Sequence, residues 1–238
     1  MILKITKIGL LFIVWSVAQI ACAQQPLDDK WDAGKIKGIR FLPYSLYNGD
    51  PFLTEDWCLG KIEFTNGDIA DSLSLKYSSY KDELIYYNRD IWTMITIDKA
   101  SINGFTFTDI DGRARTFIKQ YFDNFAKSYR FFEVLSSGEI SLLAYLKVIL
   151  NTTSAYHDNN GNLRNMAYDH SYQFYFYAPE KGYTLVRMNL ASLLSKFDKT
   201  QQTPIKKLLR KNKIRIQDQY SFIQAWKAIE KEGYKIIF

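Results

Sequence analysis

Cysteine is nearly absent from this 238-residue chain, which has only Cys22 and Cys58. Cys22 lies in the N-terminal apolar stretch, so a chain cut behind that stretch keeps Cys58 alone and forms no internal disulfide. The fold must then hold by packing. Cys58, between Trp57 and Leu59, reads as a small buried apolar residue rather than a reactive thiol. Histidine is as scarce, with His157 and His170 only. That leaves little material for histidine-based metal sites or triads. The motifs are missing too: there is no Gly-x-Ser-x-Gly elbow, no His-Glu-x-x-His helix and no glycine-rich phosphate loop. No cofactor or metal is expected. Beyond residue 23 no apolar run approaches the ~20 residues that span a bilayer. There is neither a long-period repeat nor a low-complexity linker, so residues 24–238 read as one domain.

What is present begins with Lys4 and Lys7, ahead of a mostly apolar stretch from Ile8 to Ile20. Ala21-Cys22-Ala23 then places small residues on either side of Cys22, just before Gln24. This is the layout of a secretory signal peptide, and residues 1–23 are expected to be removed on export. The competing outcome is lipidation of Cys22. That processing favours a leucine-like residue three before the cysteine, where Gln19 stands, so cleavage after Ala23 fits better. The expected location is the periplasm or the outer membrane of a cell envelope, with secretion as the alternative.

Charge is distributed unevenly. Of a net +6, Pro204 to Phe238 contributes nine basic residues opposed only by Asp218, Glu230 and Glu232. A basic tail suits nucleic acid or anionic lipid. An exported protein seldom meets nucleic acid, and the stretch lacks the aromatic interleaving of a single-strand binder. A solvated helix face is expected here, with peripheral contact to an anionic membrane, or to an acidic glycan, as its functional reading.

Between Ile36 and Met188, short runs rich in tyrosine, phenylalanine, isoleucine and threonine alternate with turn residues, which is the composition of strands. Residues 61–65 and 72–77 flank Asn66-Gly67, the strongest two-residue hairpin signal. Four further pairs are expected: 83–87 with 91–97, 105–108 with 113–118, 129–135 with 140–149, and 172–177 with 183–188. Hairpins adjacent in sequence point to an antiparallel meander, either a sandwich or an open barrel. Leu142-Leu143-Ala144-Tyr145-Leu146 is apolar on both sides, as in a strand covered on both faces. From residue 190 the period becomes helical, with Leu190, Leu193, Leu194 and Phe197. A second helix is expected to start at Pro204 with Thr203 as its cap, and a third after Asp218, ending at Gly233. The fold class is therefore α+β, mainly β, with residues 190–238 as a helical cap on the sheet.

Gly60 through Tyr87 resembles a block found in exported, uncharacterised β-rich proteins of Bacteroidota. In that block a Trp/Phe-x-x-Gly entry and an Asn-Gly turn precede Leu-x-Tyr-x-x-Tyr-x-Asp-x-(Ile/Leu)-x-(Phe/Tyr). Trp57, Gly60, Leu75, Tyr77, Tyr80, Asp82, Leu84 and Tyr86 fill those places, while Lys76 and Ser78 stand where the family often has arginine and asparagine. Tyr129 to Leu143 resembles the family's later Phe-Phe-Glu-Val-Leu-x-x-Gly block. The resemblance implies export and a β-rich fold, and it brings no active site.

Two groups of residues are candidates for a site. A hairpin turning at Asn160-Gly161 would carry His157 and Asp158 toward Asp169 and His170, and two histidines with two aspartates suit zinc or acid–base work; the competing reading is a polar loop. Tyrosines such as Tyr77, Tyr80 and Tyr86 suit a sugar-stacking platform, against the competing reading of a β core filled with aromatics. Asp109-x-Asp111-Gly112 and Asp158-x-Asn160-Gly161 read as turns rather than calcium loops, since neither has the closing glutamate. The leading functional expectation is a non-catalytic binding or accessory module of the envelope, with envelope proteins or glycans as partners. A secreted hydrolase using paired carboxylates and a subunit of an outer-membrane complex are the alternatives. An enzyme calls for a deep cleft with converging polar groups, a binding module for an exposed aromatic patch.

Overall fold

A computed structural model describes residues 36–45, 47–123 and 127–238; the expected signal segment, Cys22 and the lead-in 24–35 lie outside the described residues. Strands β1 (Gly38–Arg40), β2 (Cys58–Phe64), β3 (Ile69–Ser78), β4 (Glu83–Asn88) and β5 (Thr93–Ile97) come first. They are followed by β6 (Ile102–Thr108), β7 (Ala114–Phe122), β8 (Ser128–Ser136) and β9 (Ser141–Asn151). A small separate hairpin, β10 (Tyr156–His157) with β11 (Leu163–Arg164), precedes β12 (Ala167–Ala178) and β13 (Gly182–Val186). Helices α1 (Leu190–Leu194), α2 (Lys199–Lys211) and α3 (Gln219–Lys231) close the chain. Apart from β10 and β11, the strands form one antiparallel sheet in the order β1-β5-β4-β3-β2-β6-β7-β8-β9-β12-β13, and it is not closed into a barrel.

The five expected hairpins pair as read from the sequence. At the first of them, Gly67 has φ +90° and the Asn66 carboxamide oxygen accepts the Asp68 N–H at 3.1 Å. That left-handed conformation explains why a glycine stands there. The meander is broken twice: β1 precedes β2 in the chain but pairs with β5, and the second break follows β5. β6 follows β5 in the chain but pairs with β2, so three strands separate the ends joined by residues 98–101. Four strand spacings amount to ~19 Å, while a short link extends only ~3.5 Å per residue. Part of this link is wound into a turn of 3-10 helix, Lys99–Ser101. The sheet must therefore curl to bring the two ends together. The link is tied down on the way, Ser101 O accepting from Thr65 N–H at 2.9 Å and Lys99 O from Lys119 Nζ at 2.9 Å.

The concave face of the curl is aromatic and buried. Phe105 stacks on Phe117 at 4.7 Å, with Tyr77 at 5.2 Å from Phe117 and Phe131 at 5.1 Å from Phe105. β8 keeps its ladder with β9 only over Glu133 to Ser136. Beyond it the Phe131 N–H turns to the Asp82 carboxylate at 3.3 Å instead. The turn between β3 and β4 thus fills the gap where β8 leaves β9.

The later strands are covered on both faces, as Leu142 to Leu146 indicated. One face carries Leu142, Ala144, Phe174, Phe176 and Val186 against the helices. The other packs Leu143, Phe132, Tyr175 and Phe122 together. Trp226 of α3 lies 4.5 Å from Phe176, and Phe222, Ala225, Trp226 and Ile229 form its fully buried stripe, each such side chain contributing roughly 1.5–3 kcal/mol if large. α3 starts at Asp218 through a capping box with Ser221 and ends before Gly233, φ +76°. α2 differs from expectation. It starts at Lys199, capped by Asp198, and Pro204 lies inside it. The Asp198 carboxylate accepts both the N–H and the hydroxyl of Thr200, at 2.9 and 2.8 Å, a stronger start than Thr203 offers, and the helix tolerates proline in its second turn. The C-terminus is docked, with Ile236 bridged to Phe197.

Candidate functional site

Residues opposite one another in an antiparallel ladder share a face. On the outer face of the curl, Met94, Tyr87, Ser74 and Leu59 form one such row across β5, β4, β3 and β2. Trp57, just before β2, lies against Tyr87 with ring centroids 5.7 Å apart and an interplanar angle of 41°. Trp57 and Leu59 are exposed, at 37% and 62%, and Tyr87 and Met94 are half-buried. At the end of the same hairpin the β4–β5 turn holds Trp92, 82% exposed with φ +50°. Arg89 rims the row, its guanidinium donating to the Ser74 hydroxyl at 3.2 Å. The patch is where an aromatic layer runs out. The segment before β2 covers the rest of this face with Phe41, Tyr44 and Phe52, paired at 5.3–6.2 Å, and stops at Trp57.

Along β2 the same face continues from Leu59 to Lys61 and Glu63, which oppose Thr106 and Gly104 of β6. Here lies a shallow trough of about 330 Å³, walled by Lys61, Glu63, Asn103, Thr106, Thr116 and Gln120 together with the apolar Ile69 and Ile118. Its floor is low because Gly104 has no side chain, and a Cβ there would collide with the Phe117 carbonyl. The Thr106 hydroxyl donates to that of Thr116 at 3.2 Å. An aromatic shelf therefore meets a trough of hydroxyl, amide, ammonium and carboxylate groups on one surface. Such a surface stacks apolar ring faces and hydrogen-bonds polar edges.

The carboxylates inside the fold are committed elsewhere. Asp82, buried with φ +58°, accepts from Tyr77 Oη at 2.6 Å and Lys99 Nζ at 2.8 Å, with Arg130 at 3.5 Å. Burial first, and then the Asp82 charge, hold the Tyr77 phenol well above its ordinary range. Glu133 takes a two-point contact from Arg115, at 3.0 and 2.6 Å, and a third from Arg113 at 3.1 Å. Burial presses the Arg115 guanidinium down, and the hydrogen bonds and charge of Glu133 more than offset it. Each of these carboxylates is neutralised by two cations in place. A second cavity, of about 470 Å³, opens where the chain leaves β13, lined by Tyr172, Phe174, Val186, Met188 and Gln219; none of those residues is acidic.

The sequence candidates fall in separate places. Tyr77 and Tyr86 lie on the covered concave face, 1% and 6% exposed, so neither ring offers a surface for stacking. Tyr80 packs edge-on to Tyr168 at 5.1 Å. The alternation puts their neighbour Tyr87 outside, and Trp57 beside it was legible only as a motif residue. His157 is exposed in the small hairpin, opposite Leu163, and Asp158, Asp169 and His170 each have their own partners. Asp158 fills its turn, accepting from Arg164 at 2.7 Å and from the Asn160 and Asn162 N–H groups. Arg164 first, then those backbone donors, lower its pKa to about 2. Asp169 accepts from Asn151 at 2.7 Å, and His170 Nε2 meets the Asp50 carbonyl at 2.6 Å. Asp169 and His170 are successive strand residues and point to opposite faces. Among the described residues no three His, Cys, Asp or Glu side chains come together in a metal-binding group. Cys58 is buried and unbridged, with Thr54 Oγ1 at 3.6 Å. Asp109 is an Asx turn, accepting the Asp111 and Arg113 N–H groups. Comparison with protein-family models, curated proteins and solved structures finds no significant match.

Proposed function

We propose that this is an exported, non-catalytic binding module of the cell envelope that holds an extended glycan along the outer face of its curled sheet. The observation that carries this reading is exposed Trp57 lying against half-buried Tyr87, continued through Leu59 into the trough over Gly104. Pyranose rings have an apolar face and a rim of hydroxyls. The first suits the rings of Trp57 and Tyr87, the second the side chains of Lys61, Glu63, Asn103, Thr106 and Gln120. A row of strands held by ladder hydrogen bonds keeps both parts in fixed register, so a bound chain meets a preorganised surface. Export is supported by the layout of residues 1–23.

The test is a titration of soluble polysaccharides against the protein, read by tryptophan fluorescence and calorimetry. Trp57→Ala and Tyr87→Ala are each expected to weaken binding at least tenfold, or ~1.4 kcal/mol, while leaving the melting temperature near that of the parent. Affinities unchanged in both variants would overturn the proposal, as would tight binding of a glycan that leaves Trp57 and Trp92 emission unmoved in every case.

A further inference from the structure

The C-terminal helices carry a surface that the glycan reading does not use. In α2, Lys199, Lys206 and Arg210 are spaced by seven and four residues, so they share one face. Lys207 and Lys211 form the neighbouring row, and Lys213 and Arg215 extend it past the helix end. All seven are exposed, while Ile205 and Leu209 bury the opposite side. No acidic residue interrupts the sequence from Lys199 to Gln217. The flanking carboxylates, Asp198 and Asp218, are occupied as helix caps. Among the described residues none of the seven cations makes an ion pair. Lys206 with Arg210 and Lys207 with Lys211 are like charges four apart, an arrangement that costs helix stability. A merely solvated face would do better with mixed signs.

We infer that this face of α2, with Lys213 and Arg215, docks the protein on a bilayer leaflet rich in anionic phospholipid headgroups. The chemistry favours a leaflet over a discrete polyanion. Five of the seven cations are lysines, compact point charges rather than the planar forks that read a fixed phosphate bidentately. They stand on the solvent side of a helix with no aromatic ring between them to stack a base. Mobile headgroups gather under such a stripe, which is roughly 16 Å long from Lys199 to Arg210 at 1.5 Å per residue. The inference is independent of the outer-face site. α2 packs over the β8–β9–β12–β13 part of the sheet, whereas the aromatic row crosses β5 to β2.

The test is co-sedimentation of the purified full chain with vesicles of mixed phosphatidylglycerol and phosphatidylcholine, and with phosphatidylcholine alone. The neutral vesicles measure whatever the N-terminal apolar stretch contributes. Partition onto the anionic vesicles is expected to be at least tenfold greater at about 0.01 M salt, and to vanish toward about 1 M as the screening length falls from about 30 Å to about 3 Å. The triple variant Lys199→Gln/Lys206→Gln/Arg210→Gln should drop to the neutral-vesicle level with its circular dichroism unchanged. Should it fail to fold, Lys207→Gln/Lys211→Gln on the adjacent row carries the same expectation in weaker form. Equal binding to both vesicle types, or variants that bind like the parent, would overturn the inference. Capture by heparin without binding to vesicles would overturn it too, in favour of a soluble polyanion.

Discussion

At the scale of single residues, the most consequential side chain is Asp82. Its carboxylate gathers a phenol, an ammonium, a guanidinium and a backbone N–H from three places in the chain. A buried charge so compensated is costly to unbalance. Asp82→Ala leaves Lys99 and Arg130 facing a cavity and is expected to destabilise the fold by about 3–5 kcal/mol. Tyr77→Phe removes one hydrogen bond to a charged acceptor and should cost about 1.5–3 kcal/mol. Urea midpoints measured at unchanged slope check both. The resemblance block Leu-x-Tyr-x-x-Tyr-x-Asp thus spells out this node in the present structure, with Tyr77 and Asp82 hydrogen-bonded across the turn. The sequence displayed the residues but not their purpose. Spacing cannot tell a tyrosine that stacks on a ligand from one that faces a buried carboxylate, because the difference depends on which face of β3 the rest of the chain covers. His157 and His170 illustrate the same limit. Each is near an aspartate in sequence, and alternation along β12 sends Asp169 and His170 apart.

At the scale of elements, local rules were sufficient wherever a turn or cap decided the outcome. Asn66-Gly67 marks its hairpin because only glycine takes φ +90° freely, and a Cβ added at Gly67 meets nothing within 4 Å. Gly67→Ala is therefore a test of backbone conformation alone and should cost about 1–2 kcal/mol, seen as a lower thermal midpoint with an unchanged ring of neighbours. The five hairpins and the starts of α1 and α3 were legible for this reason. Two element-level features were not. The entry to α2 was misplaced because a proline at the start of an apolar period looks like a first turn, while the competing cap, Asp198, lies five residues earlier behind a polar stretch. The pairing of β6 with β2 is a long-range choice, made by Ile62, Phe105 and Phe107 burying against one concave face, and nothing local announces it.

At the scale of the whole molecule, the aromatic interior sets an alkaline limit. Burial raises the phenols of Tyr77, Tyr145, Tyr175 and Tyr183, with Tyr175 pushed from an ordinary value of 10 up to about 12. A phenol whose folded pKa lies above its unfolded one contributes stability that is complete below pH 10 and is lost as pH climbs toward 12. Absorbance titration is expected to show these four buried phenols ionising only together with unfolding. Simultaneous ionisation of all tyrosines below pH 11 would contradict this. The four-residue link from β5 to β6 has a further meaning when time is considered. A chain made from its N-terminus completes β2 to β5 early, yet one side of β2 keeps a row of unpaired backbone groups until residues 102–108 arrive. During that interval the growing molecule carries an adhesive edge of the kind that templates aggregation. Lys61 and Glu63, placed on that very strand, are charges of the kind that keep an open edge from pairing with another chain, as well as walls of a trough.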